Sequence, residues 1–264
     1  MMRVIVCMKQ VLDPEAPASS FQVNPEAKRV IPPKGTPPVL SPFDENALEA
    51  ALKIKDTQGA EIIVISMGRD LAKPVVRKSL AAGADELILL EDATFDDLDS
   101  CATAHVLTAA IKMVREYDLI LCGRQAADTD AGQVGSGIAE ILGIPSITVA
   151  RKIEASNGMI KVERVVSNSY EVIMAPLPAL VTASNELGEL RSATMKAIME
   201  AQKKPTTILN AQELGVNSSR MKRTNLLRLL APTRQETECE FVADESLEGA
   251  GANLALKLRE AEMI

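Results

Sequence analysis

Short, mostly apolar runs alternate with amphipathic stretches up to Ala150. The apolar runs cover residues 3–8, 61–66, 86–90, 119–122 and 146–149. Runs without regular polar alternation are typical of parallel strands that are covered on both faces. Between these runs apolar residues recur with a period near 3.6, as on the buried side of a helix. The pattern predicts an α/β fold with a doubly wound, mainly parallel sheet in the order 3-2-1-4-5.

Capping signals predict where several helices begin. Residues 41–44, Ser-Pro-Phe-Asp, have the order of an N-cap, a proline at the first helical position and an acid in the first turn. Asp99 or Ser100 is expected to cap a helix that follows strand three. Asp130 and Gln133 have the spacing of a capping box before the next helix. Residues 71–82 are predicted to form a single helix.

The pattern changes after Ala150. An Asn-Gly pair at residues 157–158 predicts a hairpin between residues 152–154 and 159–166. Further strands are expected at residues 170–174 and 180–182, as an antiparallel extension of the sheet. The remaining chain has less pattern, with helices predicted at residues 191–204 and 253–262 and a basic run at residues 220–228. We therefore predict a nucleotide-binding domain of residues 1–185 and a C-terminal arm of residues 186–264.

Composition narrows the choice of partner and compartment. The chain has 264 residues, is 47% hydrophobic and carries a net charge of -7, which argues against a nucleic-acid backbone as its main partner. Its four cysteines lack CxxC spacing, which favours reduced thiols over disulfides or a zinc site. Apolar runs stay well short of the about 18 residues of a membrane span. These features predict a cytoplasmic protein without membrane insertion.

The sequence offers no catalytic constellation. HExxH, Walker A, GxGxxG and GxSxG motifs do not occur, and the lone histidine, His105, is expected to be structural. The capping box explains Asp128 and Asp130 better than a metal site does. Cys7 and Cys122 end strands one and four, where buried thiols of apolar character are expected rather than redox partners. We predict neither a catalytic side chain nor a metal.

The ends of the predicted strands favour a phosphate-bearing nucleotide. Met67-Gly68 ends strand two, and Gly123, Arg124 and Gln125 end strand four. Ligands bind at the carboxyl ends of strands in open α/β sheets, where loop amides and helix N-termini attract anions. Arg124 would add a fixed charge, and Gln125 could read a base edge or a hydroxyl. The helix start near Gln133 would face the same cleft.

Several segments in this order resemble the β subunit of the electron transfer flavoproteins over nearly the whole chain. They are RVIVCMKQVLD, SPFDENALEAALKIKD, SLAAGADE, DLILCGRQAADTDAGQVG, AEILGIPSIT, LPALVT and RSATMKAIMEAQKK. The resemblance implies an adenine-nucleotide-binding fold of the adenine nucleotide α-hydrolase type. It also implies a heterodimer with a FAD-carrying α subunit, which the C-terminal arm would wrap.

Two kinds of β subunit exist in that family. One binds AMP, and only the α-subunit FAD carries electrons. The bifurcating kind binds a second FAD, which takes a hydride from NADH. One electron then goes to ferredoxin or flavodoxin, and the other goes through the α-subunit FAD to a partner dehydrogenase. Residues 99–103, Asp-Ser-Cys-Ala-Thr, resemble the D-x-x-A-T segment of bifurcating subunits and favour FAD. A helix N-cap also explains them, so AMP and a stand-alone nucleotide-binding protein remain alternatives.

The resemblance also implies which residues contact ligands. Nucleotide contacts carried over by position are Cys7, Ser41, Pro42, Phe43, Asp44, Met67, Gly123, Arg124, Gln125, Asp128, Thr129, Asp130, Gln133 and Val134. Ser100 and Thr103 would lie nearest the flavin ring. Residues 193–204 resemble the segment that docks partner dehydrogenases of the acyl-CoA or lactate type. Its contacts would be Ala193, Met195, Ile198 and Met199, with Met195 as an adaptable apolar anchor. The chain departs from the family at Ser41, where asparagine is common.

Overall fold

The computed structural model describes residues 1–114, 116–231 and 239–264. Its strands are β1 (Met2–Met8), β2 (Gln10–Val11), β3 (Gln22–Asn24), β4 (Arg29–Ile31), β5 (Val39–Leu40), β6 (Ala60–Gly68), β7 (Glu86–Glu91), β8 (Leu119–Gly123), β9 (Ser146–Ser156), β10 (Met159–Val166), β11 (Ser169–Pro176), β12 (Ala179–Ala183) and β13 (Thr206–Leu209). Its α-helices are α1 (Pro42–Gln58), α2 (Lys73–Val76), α3 (Lys78–Ala82), α4 (Ser100–Met113), α5 (Val134–Leu142), α6 (Met195–Ala201), α7 (Ser218–Met221) and α8 (Leu247–Glu260).

One sheet runs through the fold in the order β11-β10-β9-β12-β8-β1-β6-β7-β13. The pairs from β9 through β13 in this order are parallel, whereas β10 is antiparallel to both β9 and β11. Successive residues of β1 point to opposite faces: Val4 and Val6 pack with α1, and Ile5 packs with α4 and α5. This confirms the doubly wound, mainly parallel α/β fold with an antiparallel extension.

Strand β12 corrects the predicted sheet. Residues 180–182 were expected in the antiparallel extension, but β12 lies between β8 and β9 and is parallel to both. Strand five of the predicted order is therefore displaced by one position. All five residues of β12 are buried, and such continuous burial belongs to a central parallel strand. At the other edge, β13 adds a short parallel strand to β7, in a stretch for which no element was expected.

Three predicted helices differ from the observed ones. Residues 71–82 form two short helices, α2 and α3, which meet at Arg77. The helix expected at residues 191–204 is only α6, because the Arg191 guanidinium is held outside it by Glu49 and Asp56, each at 2.8 Å. The helix expected at residues 253–262 begins earlier, at Leu247, where Ser246 accepts a hydrogen bond from the Gly249 N–H. Two glycines in its first turns hide this start in the sequence.

The chain divides into two units, Met1–Leu229 and Leu230–Ile264. The first holds the whole sheet and extends beyond residue 185, where the sequence predicted the division. In the second, α8 buries none of its side chains, and Phe241 and Leu247 are 87% and 94% exposed. Among the described residues, no helix is both long and apolar enough to cross a membrane.

Candidate functional site

A cleft of about 870 Å³ opens at the carboxyl ends of β1, β6 and β8. Its size lies within the usual range for small-molecule sites, about 300–1,000 Å³. The structure brings most of the sequence-predicted contacts together along its walls: Cys7, Asp44, Met67, Ser100, Thr103, Gly123, Arg124, Gln125, Asp128, Thr129, Gln133 and Val134. Ser41, Pro42 and Phe43, at the start of α1, and Asp130, in the loop after β8, are not among its lining residues.

The start of α1 supports the cleft from behind. Ser41 takes the N-cap position and Pro42 the first helical position, as the sequence predicted. The Ser41 hydroxyl, however, makes no capping bond; its Oγ is buried and has no hydrogen-bond partner among the described residues. The Phe43 ring lies under the guanidinium of Arg124, whose carbon is 4.7 Å from the ring centroid. Phe43 therefore orients Arg124.

Asp44 joins the ends of two central strands. Its Oδ2 accepts the Lys9 main-chain N–H at 2.8 Å, and its Oδ1 accepts the Gly123 N–H at 2.9 Å. Burial raises the pKa of Asp44 to about 7, although both N–H groups oppose this rise. A Cβ added to Gly123 would lie 2.5 Å from Asp44 Oδ1 and 2.7 Å from Phe43. Only glycine permits this close approach of α1 to the end of β8.

The loop after β8 is held by polar contacts at the mouth of the cleft. Lys9 Nζ bonds both carboxylate oxygens of Asp128, at 2.8 and 2.7 Å. The Gln125 amide donates to Asp130 at 2.6 Å. The predicted capping box is therefore wrong, since Asp130 is used by Gln125 and α5 begins at Val134 after Gln133. Among the described residues, no group of three or more metal-binding side chains is arranged to hold a metal ion.

Cys7 and Cys122 form part of the apolar floor. They are direct neighbours on the paired strands β1 and β8, and both are buried free thiols. The hydrogen bond to Cys7 and burial raise the pKa of the Cys122 thiol well above its ordinary value. A thiol in this state stays protonated and is a poor nucleophile. The prediction of buried cysteines with apolar character is confirmed.

Asp99 organises the wall that carries the hydroxyl residues. Its Oδ1 accepts the Ala102 N–H at 2.8 Å and caps α4, so that Ser100 and Thr103 line the cleft from the first turn. Burial alone would raise the pKa of Asp99, but N–H groups of Ala102 and of residues 223–224 outweigh it and lower the pKa to about 2. The carboxylate is therefore charged at neutral pH.

Sequence reasoning missed several residues of the cleft. Lys9, Arg29 and Arg69 line it from the ends of strands, and Arg223 and Thr224 line it from the C-terminal part of the first unit. The only sequence signal for the last two was the basic run at residues 220–228. That run gave no indication of its position, because its contact with Asp99 spans 124 residues of sequence.

The segment expected to dock partner proteins is largely exposed. Met195, Ile198 and Met199 on α6 are 75%, 44% and 66% exposed, and Ala193 is half-buried before the helix. Ala201 is buried, and α6 packs against α3 on that side. Three apolar side chains therefore project together from one short helix.

Comparison with known proteins decides the family. The electron transfer flavoprotein domain matches residues 30–214. The electron transfer flavoprotein subunit beta of Clostridium acetobutylicum is 36% identical, and the similarity covers all of both chains. The chain belongs to the electron transfer flavoprotein family, among its β subunits. Two other members of the family carry more specific names. Subunit CarD of the caffeyl-CoA reductase-Etf complex of Acetobacterium woodii is 37% identical over the whole of both chains. Electron transfer subunit gamma of the acryloyl-CoA reductase of Anaerotignum propionicum is 34% identical over 81% of this chain and 79% of its own.

Proposed function

We propose that the chain is the β subunit of an electron-bifurcating flavoprotein and that its cleft binds FAD. The observation that carries the proposal is the continuity of the cleft. One cavity of about 870 Å³ joins the end of β8, at Gly123, Arg124 and Gln125, to the first turn of α4, at Ser100 and Thr103. AMP needs only the first of these regions, whereas the flavin half of FAD would use the second.

The residues at the end of β8 fit a phosphate group. The Arg124 main-chain N–H bonds to Ala183, and its side chain rests on Phe43, so the guanidinium is held in place. Its buried Nε has no hydrogen-bond partner among the described residues, which leaves donor capacity for an anion. The first turn of α5, from Val134, adds main-chain N–H groups that its own helix does not use.

The first turn of α4 fits a flavin ring. Ser100 and Thr103 supply hydroxyl groups, and the positive end of the α4 dipole favours negative charge nearby. When bound, FAD supplies the redox chemistry, taking up a hydride from NADH and passing on single electrons. The protein contributes binding, orientation and local charge. This division of work agrees with the lack of a known catalytic motif in the sequence.

The partners follow from the proposed role. We propose a heterodimer with a FAD-carrying α subunit, an electron exit to ferredoxin or flavodoxin, and a partner dehydrogenase of the acyl-CoA or lactate type. Two relatives are named as parts of CoA-ester reductases, which favours the first type. The exposed apolar face of α6 would contact the dehydrogenase. In the C-terminal unit, exposed Phe241 and Leu247 support an arm that packs on the α subunit.

A β subunit that binds AMP and does not bifurcate is the second candidate. It is favoured by the capping bond of Asp99, which by itself explains an acidic residue before Ser100. In such a subunit the first turn of α4, with Ser100 and Thr103, would pack against the fold but make no contact with the nucleotide.

Coupled NADH oxidation tests the proposed function. The purified complex should oxidise NADH only when ferredoxin and the partner dehydrogenase with its substrate are present together. Omitting either acceptor should lower the rate to the background. NADH oxidation with a single acceptor would contradict bifurcation. Electron transfer from the dehydrogenase without any reaction with NADH would favour the second candidate.

A further inference from the structure

The cationic side chains along the cleft fall into two groups. One group is already paired with carboxylates: Lys9 with Asp128, and Arg29 and Arg69 with Asp96. Arg124 and Arg223 line the same cleft, and neither guanidinium makes an ion pair within the described part of the chain. Two cations therefore remain available to a ligand. Arg124 belongs to the region of β8, and Arg223 belongs to the region of α4.

The main chain of Arg223 is fixed at the start of α4. Its N–H donates to Asp99 Oδ2 at 2.6 Å, and the N–H and hydroxyl of Thr224 reach the same oxygen at 2.7 and 3.2 Å. On the other side, Lys222 Nζ bonds Asp97 at 2.8 Å. The low pKa of Asp99 keeps this anchor charged over the physiological range. The main chain at Arg223 is therefore held beside the cleft by its own N–H and by the contacts of the residues before and after it, Lys222 and Thr224.

We propose that Arg223 selects FAD over AMP by binding the part of the ligand beyond the adenylate. This proposal rests on the proposed function. AMP carries one phosphate, which Arg124 and the first turn of α5 can satisfy. FAD continues with a second phosphate, ribityl hydroxyls and ring carbonyls, all of which accept hydrogen bonds from a guanidinium. Ser100 lies next to Asp99 and lines the same wall, so Arg223 and the predicted ring contacts share one end of the cleft.

The substitution Arg223→Gln should affect the Kd for FAD and the Kd for AMP differently. The test uses the complex of the full chain with its companion subunit, in which that subunit retains its own FAD. After the β cleft is depleted of nucleotide, we expect Arg223→Gln to raise the Kd for FAD roughly tenfold, as loss of a charged hydrogen bond does. The Kd for AMP should stay within about twofold. Arg223→Lys should recover part of the affinity, because it keeps the charge but loses the planar fork.

Two further variants serve as controls. Arg228 is an exposed arginine of the same extended segment that does not line the cleft, so Arg228→Gln should change neither Kd. Arg124 belongs to the region that both nucleotides would use, so Arg124→Gln should weaken FAD and AMP alike. A count of FAD and AMP extracted from each complex gives a second, independent readout.

The outcomes separate the two proposals. If the wild-type complex holds AMP and no second FAD, the proposed function fails, and the role of Arg223 fails with it. If the wild type holds a second FAD but Arg223→Gln binds it equally well, only the role of Arg223 is overturned. Equal weakening of FAD and AMP by Arg223→Gln would also overturn it, since selection requires a difference between the two.

Discussion

At the scale of single residues, Asp44 is a buried carboxyl group in the wall of the cleft. It is 7% exposed, yet its carboxylate binds the main chain at the ends of both β1 and β8. Burial disfavours the charged form, while the two N–H groups favour it. The balance leaves a pKa of about 7, so the residue titrates within the range of ordinary assays. We therefore expect the contacts of Asp44 with the two strand ends to change with pH.

Asp44 should make the stability of the fold depend on pH between about 4 and 7. Its pKa is raised from near 3.9 in the unfolded chain. The folded state therefore binds a proton more tightly, and the stability linked to that proton is full below about pH 4 and lost as pH rises to 7. Asp44→Asn removes this linkage. The free energy of unfolding of each protein should be measured in urea at several pH values. The value for the wild type minus the value for Asp44→Asn should fall as pH rises, by no more than about 1.4 kcal/mol per pH unit. Parallel pH profiles for the two proteins would contradict the raised pKa.

Residue contacts that are local in sequence could be foreseen, and distant ones could not. Cys7 and Gly123 were identified because apolar runs mark the strand ends on which they lie. Ser100 was assigned to the cleft only by the resemblance of residues 99–103 to the D-x-x-A-T segment, since the capping pattern alone predicted no more than a helix start. The bond between Lys9 and Asp128 spans 119 residues, and no periodicity carries information over that distance. The position of Arg223 beside the cleft could not be predicted for the same reason, because its contact with Asp99 spans 124 residues.

At the scale of elements, α6 combines short length with exposed apolar side chains. Met195, Ile198 and Met199 are spaced at i, i+3 and i+4, so they form one face of the helix. Thr194 caps the helix, and Arg191 fixes the preceding segment to α1 through Glu49. The apolar face is therefore presented by an anchored element, as a docking surface requires.

Replacing Met195 with glutamate should weaken docking without disturbing the nucleotide. The side chain is 75% exposed, so a charge there costs little in the free protein, whereas on the proposed docking surface it would be buried against the partner dehydrogenase. We expect the apparent affinity for the dehydrogenase to fall at least about tenfold, measured as the dependence of its reduction rate on its concentration. Nucleotide content should stay unchanged.

Met113→Glu provides the matched control for Met195→Glu. Met113 is an exposed methionine, 51% accessible, at the end of α4 and outside the cleft. This variant should reduce the dehydrogenase as the wild type does. An equal loss in both variants would attribute the effect to added charge. Loss of nucleotide from Met195→Glu alone would show that α6 supports the cleft instead.

The elements show where sequence patterns reach their limit. The apolar runs predicted the strands β1, β6, β7 and β8 because each is buried for most of its length. Strand β9 is mostly exposed or half-buried, and only its first residues were predicted as strand five. The predicted antiparallel direction of β12 was wrong. Whether a strand is parallel or antiparallel depends on which strands lie beside it, and the apolar sequence of β12 is compatible with both. The sequence predicted too late a start for α8. Gly249 and Gly251 lower the helix propensity of its first turns, but the helix still begins after the N-cap Ser246.

At the scale of the whole molecule, the chain combines a cleft at the carboxyl ends of a parallel sheet with exposed apolar side chains. The cleft lies in the first unit, while the second unit leaves its helix without a buried side chain. Family membership is shown by similarity over the whole chain. The choice between FAD and AMP is part of our proposal, and it rests on the first turn of α4.

The nucleotide content of the purified heterodimer tests the central claim most directly. The complex should be denatured, and the released FAD and AMP should be separated and counted per heterodimer. The proposed bifurcating subunit predicts two FAD and no AMP, because the cleft of this chain would hold one FAD and the α subunit the other. One FAD and one AMP per heterodimer would contradict it.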